Sequence, residues 1–171
     1  MTAIADIDRI RVIAGLDLQN PRLRADLDEI TSRTAARLGL PISLASIVLD
    51  TAQFLAGSHG VTGWIAEAGG TPVEWSFCAQ TVLSGEPYVV PDATRSEQAG
   101  NPLVTEDGFR SYAGMPVIVD GAVLGAHCVI GTEPHNFTAG ELAQLEQSAR
   151  EISELLQRYR VSSARAGGAR P

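Results

Sequence analysis

Lysine is absent from this chain: all 13 basic residues are arginine. That excludes Schiff-base chemistry and any phosphate loop built on a lysine amine. Cysteine is scarce, with Cys78 and Cys128 the only thiols, so the disulfide framework that staples small secreted domains is not expected. Two cysteines and three scattered histidines have no zinc-ligand spacing, and no metal site is expected. No apolar run reaches the roughly 20 residues that cross a bilayer. Asp6 and Asp8 sit where a secretion signal carries its apolar core, so a cytoplasmic location is expected. Positive charge is in the minority: the net charge is −7 and the pI about 4.9, which argues against nucleic acid or an anionic membrane as partner. There is no glycine-rich phosphate loop, nucleophile elbow or His-Glu-x-x-His motif. No residue is assigned a catalytic role, and the chain is not expected to be an enzyme.

What is present is an ordinary globular composition. With 171 residues, 44% of them apolar, the chain suffices for one domain with a sizeable core. Its central stretch is Tyr88–Gly131. Tyr88-Val89-Val90 reads as a short strand; Asp92-Ala93-Thr94 and Asn101-Pro102 read as capped helix starts. Ser111–Val119 and Ala122–Ile130 are separated only by Asp120-Gly121, the signature of a hairpin on a type I′ turn. Ahead of this stretch, Ala3–Leu16 carries Ile4, Ile7, Ile10, Ile13 and Leu16 at spacings of three. That helical stripe packs on its own domain or on a second subunit.

A second helix is predicted over Pro21–Leu38, with Leu23, Leu27, Ile30, Thr34 and Leu38 as its apolar face and Gly39 as a left-handed C-cap. Ile42–Leu49 and Gln53–His59 read as paired strands. Ser76–Leu83 reads as a helix stopped by Gly85 and Pro87. Glycines at 57, 60, 63, 69 and 70 loosen the chain around Trp64. Thr138 and Glu141 have capping-box spacing ahead of a long helix from Ala139 to about Arg160. Its residues Leu142, Leu145, Ala149, Ile152, Leu156 and Tyr159 step by three and four like a coiled-coil seam. The tail from Val161 is small and polar and is expected to be disordered. The pattern is that of an α+β domain with a mostly antiparallel sheet. Its boundaries are an N-terminal helix over 1–20, the domain proper over 21–160 and a tail over 161–171.

Ser76-Phe77-Cys78-Ala79-Gln80-Thr81, Val90-Pro91-Asp92-Ala93-Thr94, Asn101-Pro102-Leu103-Val104, Arg110–Pro116, Leu124–Ile130 and Asn136-Phe137-Thr138 follow one another in an order that resembles the GAF domain. The closest resemblance is to the type found in bacterial sensor kinases, and it covers roughly Pro21 to Tyr159. It implies a six-stranded antiparallel sheet, with the terminal helices on one face and irregular cover helices over a small-molecule pocket on the other. It also implies dimerisation through the terminal helices. No output domain follows within the chain, so signalling through a dimer rearrangement or a separate partner protein is expected. Fold alone does not name the ligand or any cofactor.

Within that frame the candidate ligand-binding residues are Trp75, Phe77, Cys78, Thr81, Asp92, Phe109, Arg110, Tyr112 and His127. The aromatic residues either wall a ligand or fill the space themselves. Arg110 has the fork that suits a carboxylate or phosphate, or else is a solvated strand-end arginine. Asp92 accepts from a ligand or caps a helix. By strand alternation His127 faces away from Cys128, and it either meets an anionic ligand or is a satisfied core histidine. Cys78 and Cys128 are small core residues or a redox pair, the latter only if their Cα atoms come within about 7 Å. The free methionine sulfoxide reductase branch of the family has a cysteine near the position of Cys78. Its catalytic thiol would fall in Tyr112–Met115, where this chain has none, so that activity is not expected. The bilin-binding branch needs a Cys-His pair between Asp92 and Arg110, also lacking here. The cyclic-nucleotide signature needs a lysine. The remaining alternatives are a small-molecule sensor, a purely structural dimerisation module and a thiol redox sensor built on Cys78 and Cys128.

Overall fold

The computed structural model describes residues 3–161. The chain opens with α1 (Ile7–Ala14), capped by the Asp6 carboxylate, which accepts from the amides of Asp8 and Arg9. That cap places the start four residues later than the isoleucine spacing implied. α2 (Pro21–Leu38) starts under an Asn20 cap with proline in its first turn and ends at Gly39 in the left-handed region. Strands β1 (Ile42–Val48) and β2 (Ala52–His59) follow, then α3 (Gly63–Ala68), β3 (Gly70–Pro72), α4 (Cys78–Ser84) and β4 (Tyr88–Val90). After α5 (Pro102–Thr105) the hairpin β5 (Ser111–Val119) and β6 (Ala122–Gly131) leads to α6 (Ala139–Gln157). Single 3₁₀ turns precede α4 and follow β4.

The six strands form one antiparallel sheet in the order β3-β2-β1-β6-β5-β4. The β5–β6 turn has Asp120 at φ 53° and Gly121 at φ 76°, the two positive φ values a type I′ turn demands. The capping box on α6 is formed in both directions between Thr138 and Glu141.

Side chains alternate along β1. Leu44 and Val48 point to one face, where α3, α4 and α5 lie; Ala45 and Ile47 point to the other, against α1, α2 and α6. In β6 the alternation slips. Val117 pairs with Gly125 and Ile118 with Val123, so Leu124 is bulged. Leu124 therefore faces the long helices while Ala126 and Cys128 face the cover. The guanidinium of Arg9, buried at 1% exposure, donates to the carbonyls of Val48 at 2.5 Å, Leu124 at 3.3 Å and Ile4. Arg9 thus satisfies the backbone oxygen the bulge exposes, which is how an arginine comes to be buried.

The apolar face of α6 packs on its own domain: Leu145, Ala149, Ile152 and Leu156 are all at most 2% exposed. The stripe that reads like a coiled-coil seam is thus core, filled by the domain's own sheet. In α1, Ile13 is likewise buried, while Ile7 is 60% exposed. Across the termini, Asp17 N–H donates to Tyr159 O and Val161 N–H to Gly15 O, joining the ends of α1 and α6. The expected tail lies, apart from Val161, outside the described residues. No helix among the described residues is long and apolar enough to cross a membrane.

Candidate functional site

Between sheet and cover lies an apolar cavity of about 20 Å³, room for about one water molecule. β1 and β2 supply its floor with Ile42, Leu44 and Leu55, and the cover closes it with Val61, Ile65 and Leu103. Of the predicted residues, Phe77, Cys78, Phe109 and Tyr112 line it. Ligand pockets ordinarily enclose about 300–1,000 Å³, so this one is closed. The reason is aromatic packing. The rings of Phe77 and Tyr112 lie 5.2 Å apart and those of Tyr88 and Tyr112 5.7 Å apart, which fills the space a ligand would take. A wider groove of about 480 Å³ runs between α6 and β5, on the opposite side of the sheet, but it is an open surface feature beside the Glu146–Arg150 ion pair.

The cavity has two polar corners. In one, Gln53 accepts from Ser76 Oγ at 2.6 Å and donates to Thr71 Oγ1 at 3.3 Å. Ser76 Oγ also accepts from the Ala79 amide at 3.1 Å and so anchors the start of α4. Neither Gln53 nor Thr71 was singled out in the sequence; a glutamine at the head of an otherwise apolar strand was the available signal. In the other corner, Cys78 Sγ stands 3.9 Å from Cys128 Sγ and accepts from the Tyr112 hydroxyl at 3.1 Å. Both thiols are free and buried. For Cys78, burial works to raise the pKa, but hydrogen bonds from Cys128, Ser46 and Tyr112 outweigh it and the net shift is downward. Burial, and then Cys78 itself, push Cys128 well up. The Tyr112 hydroxyl donates to Cys78, which favours the thiolate there.

The other predicted residues stand apart from the cavity. Trp75 is half-buried on the cover, edge-to-face with Trp64 at 5.9 Å. Thr81 is buried close to Tyr112, and its Oγ1 makes no hydrogen bond. Asp92 and Arg110 pair with each other at 3.3 Å beyond the end of β4. The Thr94 hydroxyl, and then Arg110, hold the Asp92 carboxyl down to about 2. Asp92 is therefore a cap and ion-pair partner, and Arg110 has its fork occupied.

His127 lies on the far face of the sheet. Its Nδ1 donates to Leu44 O at 2.9 Å, which leaves Nε2, 3.1 Å from Thr34 Oγ1, as an acceptor. Burial lowers its pKa to about 4. The placement corrects its assignment to the ligand site: His127 belongs to the packing of α2 on the sheet. No group of three or more metal-ligating side chains comes together among the described residues.

A six-stranded antiparallel sheet with α1, α2 and α6 on one face and a cover of short helices over a cavity on the other defines an α+β domain. The sequence matches the GAF domain family over residues 22–156, and the chain belongs to that family, whose roles are generally sensory and regulatory. A comparison with curated proteins gives no match. Among solved structures, the chain is similar to the GAF domain of a phosphoenolpyruvate-protein phosphotransferase from Coxiella burnetii. That similarity has a TM-score of 0.68 at 20% identity and covers 96% of each chain. It is also similar to a type II free methionine-R-sulfoxide reductase from Thermoplasma acidophilum, with a TM-score of 0.68 at 14% identity over 85% of this chain and 99% of that one. A third similarity is to the domain of a two-component sensor histidine kinase protein from Sinorhizobium meliloti, with a TM-score of 0.66 at 15% identity over 88% and 98% of the two chains. At these identities the likeness concerns the fold.

Proposed function

We propose that this domain is a non-catalytic regulatory module of the cytoplasm, switched by a small molecule that binds beneath the cover and signals through the terminal helices. The carrying observation is the cavity between sheet and cover, apolar with two polar corners, on the face of the sheet opposite α1, α2 and α6. Its closed volume fits a very small ligand as it stands. A larger one requires the cover to lift, and α3 is suited to this. That six-residue helix contributes Ile65 to the cavity and lies between Gly60, at φ 81°, and Gly69, at φ 71°, both in a region glycine enters freely. A ligand that binds the lifted state better than the closed one shifts the population between them. The shift reaches α2 and α6 through the strands they share with the cavity, and from there a second copy or a separate output protein.

Methionine sulfoxide reduction is the enzymatic alternative, favoured by the similarity to the Thermoplasma protein. Two features weigh against it. The closed cavity has no room for a free amino acid, and Tyr112–Met115 on β5 carries no thiol.

Native mass spectrometry of freshly purified protein, beside its denatured mass, tests the regulatory reading. A discrete extra mass that disappears on denaturation is expected. A clean sequence mass across preparations would instead favour a structural module with a filled core.

A further inference from the structure

Cys78 and Cys128 are packed into the core under the cover, and the corner they form holds more than packing. The two sulfurs are in contact at 3.9 Å, about 1.9 Å beyond the length of a disulfide bond. Cys78 lines the cavity, and the buried Tyr112 hydroxyl is aimed at its sulfur. Cys128 sits directly behind it on a central strand. The partners also differ in freedom. Cys128 is held by β1 and β5 on either side, whereas Cys78 opens a seven-residue helix preceded by irregular chain.

We propose that Cys78 and Cys128 are a redox-active pair, oxidised by a small hydroperoxide to an intradomain disulfide that fastens α4 to β6. The cavity admits a molecule about the size of water, which suits hydrogen peroxide and excludes bulky oxidants. Cys78, as thiolate, attacks one peroxide oxygen. The S–O bond forms, the O–O bond breaks, and the departing hydroxide takes up the proton Cys78 released, giving water and a sulfenic acid. Cys128 Sγ then attacks the Cys78 sulfur. The S–S bond forms, the S–O bond breaks, and the second hydroxide leaves as water with the Cys128 proton. Two thiols and one peroxide become one disulfide and two waters; a small-molecule dithiol reverses the reaction by exchange. The Tyr112 hydroxyl is a positioning residue. It stabilises the Cys78 thiolate and, when that acceptor is consumed, has the unpartnered Thr81 Oγ1 beside it to turn to.

The disulfide pins α4 to the sheet and keeps the cover from lifting, so oxidation and ligand binding oppose each other. That consequence rests on the regulatory reading; the disulfide does not.

The test is the intact mass of the full chain after exposure to hydrogen peroxide, denatured, alkylated and unreduced. The expected product is two hydrogens lighter, takes no alkylating reagent, yields a peptide linking Cys78 to Cys128, and reverts with dithiothreitol. Cys128→Ser should stop one oxygen heavier, at the sulfenic stage on Cys78. Tyr112→Phe should slow oxidation about tenfold at pH 7, the deficit closing as pH rises, since removing one hydrogen bond to the thiolate moves its pKa by about one unit. Two alkylatable thiols after peroxide treatment, or oxygen added to either sulfur in the wild type without a cross-link, would overturn the proposal. Neither result touches the regulatory reading, because a retained ligand is sought in reduced protein.

Discussion

Burial of His127 against α2 makes the fold sensitive to acid. Its pKa is about 4 in the folded chain against about 6.5 in an unfolded one. As pH falls from 6.5 toward 4 the unfolded chain gains a proton that the folded chain refuses, so stability present above that window is lost through it. The loss is about 3 kcal/mol by pH 4. Urea melts at pH 7 and pH 4 should show it, and His127→Gln should remove that part of the slope; an unchanged slope would mean the imidazole titrates freely. Steric limits are equally local. A Cβ on Gly57 would lie 2.5 Å from Leu27 Cβ and 2.9 Å from the Leu27 carbonyl carbon. Gly57→Ala should cost about 1–3 kcal/mol in a thermal or denaturant melt, because backbone must give way. At this scale the sequence told part of the story. Alternation put His127 and Cys128 on opposite faces, but which face receives the cover is decided by helices far away in the chain. The Asp92–Arg110 pair joins residues 18 apart in sequence across a loop, and neither residue type announces its partner.

Elements with strong local chemistry were legible: the Asn101 and Thr138 caps, the Asp120-Gly121 turn, and the runs that became β1, β5 and β6. β3 was not, since Gly70-Thr71-Pro72 has no strand pattern and pairs only because it falls beside β2. The seam on α6 was legible as an apolar stripe but not in its partner. Heptad-like spacing describes any helix lying on a sheet. Leu145 and Ile152 are at most 1% exposed within one chain. A charge at either, as in Leu145→Glu, should unfold the domain, costing more than about 4 kcal/mol, rather than yield a folded monomer. Ile7, exposed on α1, is the informative position for association. Ile7→Glu should leave the melting temperature unchanged and lower the apparent mass in light scattering if α1 joins two copies.

For the whole molecule, the account requires that the cover and the terminal helices feel one another through a shared sheet. The connections are physical. β6 carries Cys128 under the cover and His127 against α2, and Arg160, just beyond α6, grips the Asp120 carboxylate at the hairpin turn with contacts of 2.6 and 2.5 Å. Hydrogen exchange of freshly purified, reduced protein, compared with the same protein stripped by denaturation and refolded, tests this most directly. The account predicts stronger protection of residues 61–110 in the fresh sample, with a matching change in α1 and α6. Identical exchange throughout, or a change confined to the cover, would contradict it.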